Sequence, residues 1–401
     1  MELRYQNHEV SKPLILSVEQ ELLIRCCQTK TNHSNSKRLE TLIEKGLNWN
    51  ELVFQAERQG VMPLVYCRLS SLKSSYIPTE FLESLRNRFL LNASLSLSLT
   101  HKLSIVSSLF LKNSIPMLPF KGLVLAALAY GNQVLRQSGD IDILVHARDY
   151  EASKKMLIST GYLLGDDHIW QCQFLSHDGT LNIDLHQLLM PVYFSYRVGF
   201  ESLWERRQGV SVAGNVFCSL SNEDLLLYLC ANISRDLVGR RLRFIQICDL
   251  AELIVRQDMN WLWVLEEANR AGCKRILFVG ILLAEYFFGV KTSELMNLQR
   301  KCEPIVFKLA SYAISALFPE NNITPTMHHS CWYYCCSRER TRDKCTYLNW
   351  YLFLLHMYIK PSPRDKVLVE LPNGLSYIYW IVRPVRVVIK IAFRRHCKDN
   401  P

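Results

Sequence analysis

The stretch Ser138-Gly139-Asp140-Ile141-Asp142-Ile143-Leu144-Val145 alternates from Asp140 onward and predicts a strand. Side chains two apart on a strand share a face, so Asp140 and Asp142 project the same way, about two strand rises apart. Neighbouring carboxylates repel, and an apolar strand carries such a pair only with a counter-charge. A divalent cation supplies one, and oxygen donors of this kind suit magnesium. Downstream, Leu181-Asn182-Ile183-Asp184-Leu185-His186 reads as a second strand, with Asn182, Asp184 and His186 on one face. With the two strands as neighbours, Asp184 completes a three-carboxylate cluster. Such a cluster holds two magnesium ions about 4 Å apart, clamping the attacking and leaving oxygens of phosphoryl or nucleotidyl transfer. The competing reading makes Asp140 a turn residue and Asp142 part of a solvated face, since Asp-x-Asp is a common tripeptide.

The surroundings favour a site. Ile115-Pro116-Met117-Leu118-Pro119-Phe120 is a short apolar run, Lys121-Gly122 follows it, and Leu123 to Tyr130 suits a buried helix. A helix N-terminus with a glycine binds phosphate through free backbone N–H groups, and Lys121 adds a point charge to the same phosphates. Arg136 stands four residues before Asp140, within reach of a triphosphate or of Asp140 itself. His186 is placed to orient Asp184 or to approach a substrate, with a satisfied structural histidine as the alternative.

Outward from this core the periods change. Asp149 to Thr160 reads as a helix stopped by Gly161, and His177-Asp178-Gly179-Thr180 as a hairpin turn. Residues 17–100 are helical in pattern: Ser17-Val18-Glu19-Gln20 is a capping box, Asn48-Trp49 opens a helix ending near Gly60, and Pro78 starts another. Ser221-Asn222-Glu223-Asp224 is a further capping box, and Leu225 through Ile254 keeps the 3.6 period. Asn48-Trp49, Ala56, Arg58 and Gly60 recur 212 residues later as Asn260-Trp261, Ala268, Arg270 and Gly272, either one helix-and-turn design used twice or chance. The expected fold is α+β, a small mixed sheet between helical flanks. The expected divisions are residues 1–100, 101–220, 221–330 and a basic segment 331–401.

With 401 residues, 49% of them hydrophobic and 21% charged, the chain has apolar surface enough for a large core, which excludes disorder for most of it. No uninterrupted apolar run reaches the ~18 residues of a membrane span, and Met1-Glu2-Leu3-Arg4-Tyr5 lacks the layout of a secretion signal. A cytoplasmic location is expected, with the fourteen cysteines as thiols. The net charge of +10 is concentrated at one end, where residues 331–401 hold thirteen Lys/Arg against five Asp/Glu. That segment favours an anionic partner. Within 383–396, Arg383, Arg386, Lys390 and Arg394 form one stripe, opposite Val385, Val388, Ile389, Ala392 and Phe393. Such a helix lies on an anionic membrane surface, which would make the protein peripheral at the inner membrane face; packing on the body and RNA contact are the other readings. His328, His329, Cys331, Cys335, Cys336 and Cys345 are dense in zinc-type donors, but their spacing is not that of a paired Cys-x-x-Cys knuckle. Aromatic packing by Trp332, Tyr333 and Tyr334 is the plainer explanation.

Lys121-Gly122, Tyr130, Arg136, Gly139 to Val145, Gly161-Tyr162 and Asp184-Leu185-His186 together resemble the uncharacterised nucleotidyltransferase family, within the polymerase-beta-like nucleotidyltransferase superfamily. Asn48-Trp49 with Ala56 and Gly60-Val61 resembles its N-terminal helices. Arg241-Leu242-Arg243 with Asp249-Leu250-Ala251 resembles its post-catalytic helices, and Asp365, Leu371-Pro372 and Arg383-Pro384 its C-terminal end. The resemblance implies a nucleotidyltransferase core and magnesium-dependent transfer of NMP from an NTP, ATP the expected one, to an acceptor hydroxyl or phosphate. It makes Asp140, Asp142 and Asp184 the catalytic and metal-holding residues, and Lys121, Gly122, Arg136 and His186 the nucleotide-binding ones. The acceptor stays open among small molecule, peptide, glycan precursor and RNA. Leu123 stands where the superfamily usually has a turn serine, which motivates a second reading, a catalytically silent adaptor. The basic tail motivates a third, a tRNA-modifying transferase of toxin type.

Overall fold

The computed structural model describes residues 16–29, 33–72, 74–194, 196–292, 303–318, 327–346 and 349, with the paired strands β1 (Arg4–Tyr5) and β2 (His8–Glu9). The chain falls into two units, residues 1–339 and 340–401; the second is helical over 341–346. The basic stripe of 383–396, Asp365, Leu371-Pro372 and Arg383-Pro384 lie outside the described residues.

Five helices come first: α1 (Val18–Cys26), α2 (His33–Glu44), α3 (Trp49–Arg58), α4 (Met62–Ser71) and α5 (Thr79–Lys112). The capping box forms as the hydroxyl and amide chemistry demands: Ser17 Oγ accepts from the Gln20 N–H at 3.2 Å, and the Gln20 side chain accepts from the Ser17 N–H at 3.1 Å. Helix α5 begins after Pro78 and runs through position 100, where the sequence suggested a division. By length and composition it is the one helix among the described residues that could cross a membrane, with a third of its apolar window buried. Its contacts tie it to the body. Asn92 donates to the Val134 carbonyl at 2.7 Å, and Lys102 donates to Thr180 Oγ1 at 2.6 Å.

The period-2 segments form the sheet. Strands β3 (Met117–Pro119), β4 (Ile141–Val145), β5 (Leu163–Asp167), β6 (Gln171–Leu175) and β7 (Asn182–His186) lie in the order β3-β4-β7-β6-β5. Only β4 and β7 are parallel; the other pairs are antiparallel, as a hairpin through Asp178-Gly179 requires for β6 and β7. Helix α6 (Gly122–Tyr130) has eight of its nine residues buried, because it is apolar on every side and is covered on one face by a later helix. Helix α7 (Ala147–Ser159) crosses from β4 toward β5, while α8 (Phe200–Glu205) and the hairpin β8 (Gln208–Val212) and β9 (Asn215–Ser219) close the unit. Ser219 donates to the Pro119 carbonyl at 2.7 Å and so pins the hairpin to β3. The architecture is α+β.

The long helical pattern after Ser221 is two helices, α9 (Asn222–Val238) and α10 (Phe244–Arg256), broken at residues 239–243. Arg240 there has φ +56°, an uncommon conformation for a non-glycine residue. Helices α11 (Trp261–Ala271) and α12 (Lys274–Phe288) follow, then Ile305–Leu317 and Met327–Ser337. The repeated motif is one local design: Asn48 and Asn260 cap α3 and α11 alike, and Gly60 and Gly272 turn the chain out with φ +73° and +69°. Tyr333 and Tyr334 are fully buried, in keeping with aromatic packing of the cysteine-rich segment.

Helices α9, α10 and α12 pack against one another at Gly280. A Cβ there would stand 2.6 Å from Cys230 Sγ and 3.1 Å from Leu250 Cδ2. Gly280→Ala is therefore expected to destabilise the fold by about 1–3 kcal/mol through overpacking, read as a thermal midpoint lowered by several degrees. An unchanged midpoint would mean that the three helices separate without cost.

Candidate active site

The turn between β3 and α6 starts the site. Gly122 opens α6 with φ +53°, and a Cβ on it would lie 3.3 Å from the Asp140 carbonyl oxygen and 3.6 Å from Ser138 Oγ. Glycine is needed here both for its backbone angle and for the close passage of residues 138–140. Lys121 takes the N-cap position but caps nothing with its side chain, so no side chain covers the first-turn N–H groups of α6. Leu123 is 3% exposed and faces the core, so it presents no hydroxyl to the turn.

The parallel pairing of β4 with β7 sets Asp142 opposite Asp184 and Leu144 opposite His186. The two carboxylates thus meet across strands, as expected if β4 and β7 were neighbours. Asp142 is 4% exposed, and its Oδ1 receives both Lys121 Nζ at 2.8 Å and His186 Nε2 at 3.2 Å. Burial alone would push the Asp142 carboxyl up, but the Lys121 ammonium and the His186 bond outweigh it and hold the group well below the usual carboxylate range. Burial likewise opposes the Lys121 charge, and the Asp142 carboxylate more than restores it, so the ammonium is firmly protonated.

Asp184 has no such partner. Burial first, then the charges of Asp142 and Asp140, raise its pKa to about 7, and its Oδ1 has no hydrogen-bond partner. Burial lowers the His186 pKa despite Asp142, leaving a neutral imidazole that donates through Nε2 and whose buried Nδ1 is unpaired. Asp142, Asp184 and His186 each offer a ligand atom within 4.8 Å of the others, and they are the one such trio among the described residues. Asp140 precedes β4 rather than lying on it and is outside that trio, although it lines the same cleft and its pKa is raised first by the Asp142 charge. Two facing carboxylates with an orphaned buried oxygen fit a divalent cation.

Two expectations are corrected. His186 contacts Asp142 rather than orienting Asp184, because the strand register, not its own strand face, decides which carboxylate it meets. Arg136 pairs with Asp249 rather than Asp140: its Nε lies 2.9 and 3.2 Å from the two Asp249 oxygens, and the Tyr130 hydroxyl donates to the same carboxylate at 2.9 Å. Arg136 Nη1 also donates to Ser138 Oγ at 3.2 Å. Asp249 is fully buried on α10, and a bidentate acceptor already facing Arg136 leaves Asp140 to the cleft.

Lys121, Gly122, Arg136, Asp140, Asp142 and Asp184 line one cleft of about 1080 Å³, large enough for a nucleotide and a second reactant. The later helices also wall the cleft, with side chains that the sequence reading did not single out for the site. Tyr228, Asn232 and Arg235 stand at i, i+4 and i+7 on α9, and Arg240, Arg241 and Arg243 at the break before α10. Polar side chains at helical spacing inside an otherwise buried, leucine-rich helix were the available signal. Chemically, the cleft faces an acidic floor with a basic wall.

A family model described as uncharacterised nucleotidyltransferase matches residues 45–289. Among solved structures, that of an antigenic nucleotidyltransferase-like protein from Paracoccidioides brasiliensis is 15% identical, covering 57% of this chain and 97% of that one, with a TM-score of 0.29. That superposition is too loose to argue from. No curated protein matches.

The Asp184 carboxyl titrates near 7 when folded and near the ordinary 3.8 when unfolded, so the folded state binds the extra proton between them. Stability from this group is present below the lower value and is lost as pH rises to the upper. With chelator present, Asp184→Asn is expected to be more stable than the parent by about 2–4 kcal/mol at pH 8, the gain vanishing toward pH 4. Denaturant midpoints across that range measure it; a gain independent of pH would refute the burial of the charge.

Proposed function

This chain belongs to the family of uncharacterised nucleotidyltransferases, and on that premise we propose that its cleft transfers NMP from an NTP, ATP by expectation, to an acceptor hydroxyl or phosphate. The observation that carries the reading is the pairing of Asp142 with Asp184 at one register, opening on the same cleft as the uncapped start of α6. Asp142 and Asp184 would hold a divalent cation, magnesium by the hardness of their oxygens, with Asp140 beside them, and the cation would neutralise phosphate charge.

The chain's own groups divide the remaining work. The first-turn N–H groups of α6 and the Lys121 ammonium receive phosphate oxygens. Arg235, half-buried on α9 and paired with Asp236 at 3.0 Å, adds positive charge to the cleft. The acceptor oxygen attacks the alpha phosphorus, forming the new O–P bond as the bond to the leaving pyrophosphate breaks. Asp184, as a carboxylate beside the cation, would take the acceptor's proton. His186 and Lys121 fix the orientation of Asp142.

The adaptor reading is supported by the inward-facing Leu123, which leaves the turn without a hydroxyl. One experiment separates the two. Incubating the protein with each alpha-labelled NTP and cell extract is expected to label a product, and Asp184→Asn to lower the labelling rate by about 10²–10⁴-fold while remaining folded. An adaptor would label nothing with either protein, and full activity in the variant would remove Asp184 from the chemistry.

A further inference from the structure

A carboxylate that bridges two metal ions through both of its oxygens gives one to each, and Asp142 has one of its two already occupied. Oδ1 receives Lys121 Nζ at 2.8 Å and His186 Nε2 at 3.2 Å, which takes up both lone pairs of that atom. Only Oδ2 is left for a metal. We propose that the cleft works with one divalent ion, the Lys121 ammonium standing in the place of the second cation; this rests on the nucleotidyl-transfer reading.

Three further observations support it. Lys121 is held in place, since its ammonium lies 5.6 Å from the ring centres of both Phe120 and Tyr228 and its side chain is 19% exposed. Its partner is braced from behind, because the His186 ring packs edge-on to Phe120 at 5.2 Å. The charges also close. Asp140, Asp142 and Asp184 together with Lys121 leave two negative charges when fully ionised, which a single divalent ion neutralises. The triphosphate's own charge is then met by Arg235 and the arginines at 240–243, which line the same cleft, rather than by a second metal. An ammonium has three donors, and with one on Asp142 and one shared with the Tyr228 hydroxyl a third is left to hold a phosphate oxygen. A fixed ammonium can therefore bridge carboxylate and phosphate as a second ion would.

The test counts ions. The full chain is titrated with Mn(II) in the presence of a non-hydrolysable alpha,beta-methylene ATP, and bound Mn(II) is read by electron paramagnetic resonance. One tightly bound ion per chain is expected for the parent and for Lys121→Arg, which keeps the charge. Two are expected for Lys121→Met, where the vacated position accepts a second ion. Two equally tight ions in the parent overturn the proposal, and so does a folded Lys121→Met that still binds one. If Lys121→Met fails to fold, Lys121→Gln replaces it, and the parent's count decides alone. Two ions with labelled product retained refute only the lysine's role; no bound ion and no labelled product bring down the transfer reading itself.

Discussion

A buried aspartate and a largely buried lysine, 2.8 Å apart, tie together the elements around the cleft. Neither charge would be tolerated there alone, since an unpaired buried ion costs several kcal/mol. The pair joins the start of α6 to the middle of β4, and His186 extends it to β7. Three segments read separately along the chain become one object because a single oxygen accepts from two of them. Gly122 lets this happen by bringing residues 138–140 against the helix start, where any side chain would press on the Asp140 carbonyl.

Much of this was legible before any coordinates. The alternation at 140–145 and the Asp-Gly turn at 178–179 place β4 and the β6–β7 hairpin nearly to the residue. Local chemistry decided those elements: side-chain period and turn preference act over a few residues. Strand pairing does not. That His186 meets Asp142 depends on the register of two strands separated by a helix and two further strands, and no short-range pattern carries it. Arg136 shows the same limit, because its partner Asp249 lies 113 residues away and only tertiary packing selects it over Asp140.

The break between α9 and α10 is a different failure. The helical pattern read from Leu225 through Ile254 spans Gly239-Arg240-Arg241-Leu242-Arg243, where the apolar spacing lapses, but a single glycine weakens a helix without ending it. What ends it is Arg240 in a left-handed conformation, a local cost tolerated at functional sites when the surroundings enforce it. The outcome is that Arg240, Arg241 and Arg243 turn toward the cleft instead of continuing along a helix. A pattern tuned to buried leucines could not register this, since the residues responsible are the ones that leave the apolar stripe.

The brace between Arg136 and Asp249 also bears on how such a catalytic unit can be inherited. All three acidic residues lie before position 185, yet the loop leading to Asp140 and Asp142 is anchored to a helix beginning at Phe244. A piece cut from the chain after β9 would keep every carboxylate and strand its arginine inside a hole with no acid to face. The domain is therefore not a portable cassette.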